Sequence, residues 1–512
     1  LLRTVLAELD DQLATLNVEL LALECDVLVL GGGMAGLCAA LAAAENGARV
    51  LVLEKGTRFG GSMALSNGIV WSFGSSDDVR TRLREGNPAL QDLVVEQLPA
   101  GMEWLVSHGV QLQPAQHYFG YGQGRPASGP QMAAALADAI RARGGVLLTS
   151  AGVQQLLTED GTVTGARAFG SEGCIEASAR SVVLATGGFQ GNAELLGRYV
   201  SPHAQHMYLR ANPWSTGDGL LAALDAGAAT TPALDTFYGH AMTAPPARFG
   251  ADRFQEMSHK YGPMAVAINL DGRRFADESA GTGEETLNIA VARQQNATAA
   301  YVFDAATADR PYEAGPLARV IVERARQAGG HVVQADSLEA LAQRMQAWGF
   351  PSSEVVRTLR DFNAAMEAGQ GDLLHPPRRG EPYAVAQAPF TAALVRAAIT
   401  FTCGGLSVDL RGVWGSSSTD VYAVGVVLFE MICGQRPFQA EDTLAQGNIR
   451  PPLIAEMFAR LEASMLKRIS SIRVQAAYLG QPTGDASALE SAAIIDEILR
   501  TIPQPRALPT LD

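Results

Sequence analysis

Gly31, Gly33 and Gly36 follow a short apolar strand, Val27 to Leu30, and open an alanine-rich helix; a second apolar strand, Val50 to Leu53, then ends on Glu54. This spacing suits a dinucleotide. Gly31 permits a tight turn, and Gly33 lets the backbone N–H groups around Met34 and Ala35 approach a pyrophosphate. Gly36 lets the helix pack close to the strand, so that the helix N-terminus faces the phosphate charge. Glu54 can accept both hydroxyls of an adenosine ribose, and its charge would repel a 2′-phosphate, which argues against NADP. A ligand-free glycine turn explains the three glycines alone but not the strand, helix, strand and acid around them.

A second glycine pair comes soon after Lys55: Arg58-Phe-Gly60-Gly61-Ser62-Met-Ala-Leu-Ser66-Asn67-Gly68. A plain nicotinamide site has no need of it. A flavin does, because a second loop must lie flat near the ribityl chain and isoalloxazine. Four more pieces follow in order: Val183-Leu-Ala185-Thr186-Gly187-Gly188-Phe, Ser215-Thr-Gly-Asp218-Gly219, Asn269-Leu-Asp-Gly-Arg-Arg274-Phe-Ala-Asp-Glu278 and Thr402-Cys-Gly404-Gly405-Leu. On these motifs, residues 25–410 resemble the FAD-dependent fumarate reductase, succinate dehydrogenase and 3-ketosteroid dehydrogenase superfamily.

The resemblance implies an α/β fold. A Rossmann-like FAD-binding domain, a parallel sheet with helices, is expected over 25–235, with an inserted α+β capping domain over 236–385 and a return to the FAD-binding domain over 386–412. It implies FAD as cofactor, held by Gly31, Gly33, Met34, Ala35, Gly36, Glu54, Lys55, Gly60, Gly61, Ser62, Ser66, Asn67, Gly68, Val153, Ala185, Thr186, Gly187 and Asp218. Val153 falls in an expected adenine-side meander, Val146 to Ala168. No histidine stands between Gly60 and Gly68, so the flavin is expected to be non-covalent.

A flavin of this class moves a hydride between N5 and a carbon adjacent to a carbonyl or carboxylate, in dehydrogenation or ene-reduction, while a protein group handles the partner proton. The substrate-side candidates are Tyr238 and His240, at the entry to the cap, with Glu278 and Arg274. Tyr118 and Tyr121 are alternative phenols, and Arg310 is an alternative cation. Each has a structural reading beside it: a histidine bonded to backbone, a salt-bridged glutamate, a surface arginine. No arginine follows Glu278 at the spacing of the fumarate-type proton relay, which argues against fumarate itself. The partners expected are a small-molecule carbonyl or carboxylate compound and an electron acceptor that the sequence does not identify.

The bulk composition sets outer bounds. A net charge of −14 without a basic stripe weighs against nucleic acid. The five cysteines are scattered without CxxC spacing, so no metal site is expected. No apolar run reaches the roughly 18 residues that span a bilayer. With no secretory signal visible, the cytoplasm is the expected compartment.

The two ends depart from the pattern. Leu2, Leu6, Leu9, Leu13, Leu16, Leu20 and Leu23 form a 4-3 seam, which predicts an amphipathic helix over 1–24 that packs on its own body or self-associates. After Asp409, Asp420-Val-Tyr-Ala-Val-Gly425-Val-Val-Leu-Phe-Glu430-Met-Ile-Cys-Gly434-Gln-Arg-Pro437-Phe only weakly echoes the flavoprotein's closing turn. It resembles a helix of the protein kinase C-lobe, although no kinase catalytic motif accompanies it. The expectation is an atypical helical tail over 413–512, with Val421 to Cys433 as a long apolar helix. The alternative function is then a catalytically defective flavoprotein-fold fusion with an interaction role.

Overall fold

The structure, a computed structural model, describes residues 20–408, except 67, 83–87, 119–120, 171–172, 232, 282, 313–314 and 382, together with 421 and 422. Its first sheet is built from the apolar runs around the glycine turn. Strand β1 (Leu20–Leu30) leads through the turn into helix α1 (Met34–Glu45) and strand β2 (Val50–Leu53), which lies parallel to β1. Helix α2 (Gly129–Arg141) precedes β3 (Val146–Leu148), parallel to β2 at the edge. An antiparallel meander of β4 (Gly152–Glu159), β5 (Thr162–Gly170) and β6 (Gly173–Leu184) then brings β6 back alongside β1, parallel to it.

Both faces of the last part of β1, Leu28–Leu30, are covered, which is why the strand ends in a continuous apolar run rather than an alternation. Leu28 and Leu30 join a core with Leu51, Leu53, Val182 and Leu184. Val29 points the other way and packs with Leu37 and Leu41 of α1 and Leu136 and Ile140 of α2. The carboxyl ends of β1, β2 and β6 therefore deliver Gly31, Glu54 and Ala185 to one edge of the sheet, where open α/β sheets bind ligands.

The second sheet centres on Phe390–Arg396. Thr298–Phe303 runs along one edge with Val266–Ile268 beyond it, and Met242–Thr243 and Val332–Ala335 share the other edge, all antiparallel. One face packs Val266, Ile268, Val302 and Leu394 under helices Leu338–Met345 and Ser352–Glu367. The other face sends Ala267, Tyr301, Phe303 and Val395 into the core shared with the first sheet. Two short pairings bridge the sheets: β7 (Phe237–Tyr238) with β8 (Phe401–Thr402), and Tyr208–Leu209 with Ala398–Ile399.

Three expectations need correction. The amphipathic helix does not reach residue 24: Leu20 to Cys25 are strand, paired with Cys174 to Ala179, and Leu20 and Leu21 are 59% and 48% exposed. Backbone pairing along β6 outweighs the 4-3 leucine spacing there, while residues 1–19 lie outside the described residues. The region Val146–Ala168 is not one meander, since Val146–Leu148 is a parallel edge strand and the meander begins at Gly152. The apolar helix expected from Val421 does not start there. Val421 and Tyr422 are a strand, β9, parallel to Val182 and Val183, so that the edge of β6 not taken by β5 recruits them. The remainder of the kinase-like segment and of the tail over 413–512 lies outside the described residues.

Candidate active site

The glycine turn is fixed by close backbone approach. Gly31 has φ +106°, and a Cβ there would stand 2.2 Å from the Ala185 carbonyl oxygen; one on Gly36 would stand 1.9 Å from the Gly31 oxygen. Gly33 differs. Its backbone is extended (φ −76°, ψ −171°) and a Cβ on it would meet nothing within 4 Å. The fold therefore does not need glycine at 33. The open space lies at the N-terminus of α1, where the N–H groups of Met34, Ala35 and Gly36 begin the helix and favour an anion. This cradle, which a side chain would fill, fits the pyrophosphate of FAD.

Glu54 is 6% exposed, and its carboxylate accepts the Gly32 and Gly56 N–H groups at 2.6 Å each. It thus ties the turn to the end of β2 while retaining lone pairs for another donor. The second glycine pair closes on the first. The Gly60 N–H donates to the Gly32 oxygen at 2.8 Å, and a Cβ on Gly61 would lie 3.3 Å from the Gly33 Cα. Ser62 precedes the short turn Met63–Leu65, and the Ser66 hydroxyl accepts the Gly68 N–H at 3.0 Å. Asn67 lies outside the described residues. Val153 is buried on β4, one residue from Gly152, whose Cβ would touch the Lys55 chain at 3.3 Å.

The later motifs meet at the same edge. Lys55 Nζ lies 2.6 Å from Asp218 Oδ2, and the Thr216 hydroxyl donates to Asp218 Oδ1 at 2.7 Å. A Cβ on Gly187 would lie 3.2 Å from Ser215 Oγ, and one on Gly219 would lie 2.2 Å from Thr186 Oγ1. The Thr402 hydroxyl accepts the Phe189 N–H at 3.3 Å. Thr186, Gly187, Gly188, Gly219, Gly404 and Gly405 line one small cleft.

Because Thr402 belongs to β8, which pairs with β7, the glycine motifs are fastened directly to the substrate-side candidates. Tyr238 faces Phe401 across the pair, their rings stacked at 4.7 Å. The Tyr238 hydroxyl lies 3.0 Å from His240 Nε2, and His240 Nδ1 contacts Glu284 Oε2. Glu284 Oε1 accepts the Ala241 N–H at 2.7 Å. His240 is 5% and Glu284 2% exposed. Burial pushes the Glu284 carboxyl up to about 8. The sequence reading missed Glu284, and it missed Arg210, a 7%-exposed guanidinium whose field also reaches Glu284 and Tyr238. Glu284 lies six residues past Glu278 and is followed by Glu285. A buried acid at the start of a helix, Glu284–Ala292, could have drawn attention to it.

The other candidates have different neighbours. Glu278 is fully buried between Arg274 and Arg378: Arg274 donates to Oε2 at 2.6 Å and to Oε1 at 2.9 Å, Arg378 to Oε2 at 3.5 Å, and the Ala267 N–H to Oε1 at 3.1 Å. Arg274 also donates to the Pro376 carbonyl at 2.6 Å. This cluster fastens residues 376–378 to the strand Val266–Ile268. Tyr118 belongs to a separate three-stranded sheet, and Tyr121 lies in a turn at its edge, stacked on Phe73 at 5.4 Å. Arg310 is exposed over the Tyr383 ring.

The family model of the FAD binding domain matches residues 26–438, running past the point where the sequence resemblance was expected to stop. The probable fumarate reductase Ifc3 of Shewanella frigidimarina is 27% identical over 413 residues, covering 75% of this chain and 66% of that protein. A 3-oxosteroid 1-dehydrogenase of Mycolicibacterium smegmatis is 22% identical over 511 residues, covering 76% of this chain and 88% of that one. The solved 3-ketosteroid Δ1-dehydrogenase of Sterolibacterium denitrificans, in complex with 1,4-androstadiene-3,17-dione, superposes with a TM-score of 0.61 at 19% identity. It covers 80% of this chain and 95% of that one, a likeness of fold.

Proposed function

The chain belongs to the FAD binding domain family, and from that premise we propose that it is an FAD-dependent oxidoreductase acting on a CH–CH bond adjacent to a carbonyl or carboxylate. The observation that carries this reading is the pairing of Phe237–Tyr238 with Phe401–Thr402, which joins a Tyr–His–Glu chain, its histidine and glutamate buried, to the glycine motifs. FAD, when bound, supplies the hydride chemistry. Gly33, Gly61 and the start of α1 would hold its pyrophosphate, Glu54 its ribose, and the absence of a histidine from 60 to 68 makes the attachment non-covalent.

Tyr238, His240 and Glu284 form a proton relay. In one state Glu284 is protonated and donates to His240 Nδ1, while the His240 Nε2–H donates to the phenol oxygen; the Tyr238 O–H can then protonate the substrate carbon. As that proton leaves, one moves from Nε2 to the phenol oxygen and one from Glu284 to Nδ1. Three protons shift by one place, and the negative charge ends on Glu284, held by the Ala241 N–H and the Arg210 field. Dehydrogenation runs the same steps backwards. The region 236–385 caps the substrate, as the resemblance implies.

Dye-linked turnover of the FAD-loaded protein on a panel of saturated ketones, 3-ketosteroids and carboxylic acids tests this reading. Reduction of the dye with at least one member is expected. Flavin-bound protein that reduces no dye with any of them overturns it.

A further inference from the structure

Asn212 and Trp214, two residues apart, stand beside two glycines of the nucleotide edge, Gly61 and Gly56. Asn212 is 8% exposed, and its Oδ1 accepts the Trp214 N–H at 3.1 Å. With the oxygen so engaged, the amide has its NH2 group left to donate, and that group has no hydrogen-bond partner among the described residues. It stands at the cradle. A Cβ on Gly61 would lie 3.3 Å from Gly33 Cα and 3.9 Å from Asn212 Nδ2, so the unused donors and the open glycine converge on one point. A nearly buried amide with unused donors calls for an acceptor, and a phosphate oxygen supplies one.

Trp214 repeats the arrangement at the ribose acid. A Cβ on Gly56 would stand 2.9 Å from the indole Cδ1, 3.2 Å from Nε1 and 3.0 Å from Glu54 Oε1. The indole edge thus borders the carboxylate, its N–H has no partner among the described residues, and the residue is 43% exposed. A half-open aromatic face beside a sugar-binding acid offers a purine a surface to stack on. The segment is held in place by the Thr216 N–H donating to the Trp214 oxygen at 3.0 Å and by the Gly191 N–H donating to the Ser215 oxygen at 2.8 Å.

We propose that Asn212 and Trp214 form a strap over the ADP half of the coenzyme: the Asn212 amide donates to the pyrophosphate, and the Trp214 indole covers the ribose and adenine. The strap rests on FAD as the cofactor and adds a grip that does not involve the flavin ring. Because the segment is already ordered by its own hydrogen bonds, little is lost in fixing it on binding. ADP alone should therefore occupy the site. FMN, which lacks the adenosine and the second phosphate, should not.

The test uses FAD-loaded full-length protein. The fluorescence of FAD released on dilution gives its affinity, and ADP and FMN are read by displacement of FAD and by the shift of Tm. ADP should displace FAD from wild type, and FMN should not. Asn212→Asp keeps the oxygen that holds the Trp214 N–H but sets a negative charge against the phosphates, so FAD and ADP should each bind roughly tenfold or more weakly. A merely structural Asn212 would lose little in that variant. Trp214→Ala should weaken both ligands by roughly tenfold, and Trp214→Phe should restore most of the loss. If Asn212→Asp fails to fold, the Trp214 pair, at a half-exposed ring, still decides the question. Unchanged affinity in either Asn212→Asp or Trp214→Ala overturns the strap and leaves the cofactor in place, whereas wild type that takes up no FAD overturns both. Neither readout needs turnover, so an absence of dye reduction sinks the oxidoreductase reading alone.

Discussion

The hydroxyl of Tyr238, on the strand that pairs with Phe401–Thr402, and the ring of His240, two residues beyond it, meet at 3.0 Å, and behind the histidine stands the buried Glu284. A satisfied structural histidine would suffer little kinetically if its neighbour lost a hydroxyl. A relay would not. Tyr238→Phe and His240→Ala should each lower kcat by about 10²–10⁴-fold with FAD content unchanged, the range for loss of a positioned acid–base group. Steady-state kinetics on holoenzyme check this, and near-normal kcat in Tyr238→Phe would return both residues to structure.

Glu284 also gives the protein a pH signature. Its carboxyl is raised by burial from the ordinary 4.5 to about 8, so the folded state favours the protonated form. The stability it contributes is fully present below its unfolded value and is lost as pH rises through about 8. Thermal melts of wild type should therefore decline between these limits relative to Glu284→Gln, which keeps the shape and the neutral charge. The two curves should converge at the acid end. Parallel curves across the whole range would place the acid's ionisation elsewhere.

The cradle at Gly33 separates folding from binding. A Cβ there meets no protein atom within 4 Å, and the backbone is one that any residue adopts. Gly33→Val should thus leave the melting temperature of the flavin-free protein nearly unchanged while abolishing flavin retention. Gly31→Ala should damage the fold itself, because its Cβ would press on the Ala185 carbonyl. Absorbance at the flavin bands and the apo-protein melt read the two effects apart. Yellow Gly33→Val protein would remove the pyrophosphate from this turn.

What was legible in the sequence was whatever local pattern dictates. The turn at Gly31, the approach of Gly36 and the buried run of β1 follow from residue types a few positions apart, and Gly60 and Gly61 announced a second loop. Tyr238 and His240 were found because they are neighbours. Glu284 and Arg210 were not, because each reaches the site only through tertiary contact: Glu284 on a helix start beside Ala241, Arg210 just past the bridging strand Tyr208–Leu209 and beside Thr400. The misread ends have one cause. At Leu20–Glu24 and at Val421–Tyr422, helical-looking apolar spacing lost to free edges on β6, which supply backbone hydrogen bonds that spacing does not encode.

Arg274 and Glu278 divide two readings of the same motif. Their paired contacts at 2.6 and 2.9 Å, closed by Arg378 and the Pro376 carbonyl, have the form of a buried clamp, and removing one partner of such a pair typically costs about 3–5 kcal/mol. Arg274→Met should accordingly lower the melting temperature markedly. The double variant Arg274→Met/Glu278→Leu should recover part of that loss, since it leaves no unpaired carboxylate. The turnover of whatever fraction remains folded should stay within a few-fold of wild type. If instead Arg274→Met melts like wild type and turns over far more slowly, the guanidinium serves the reacting molecule, and the motif's arginine and glutamate return to the chemical step.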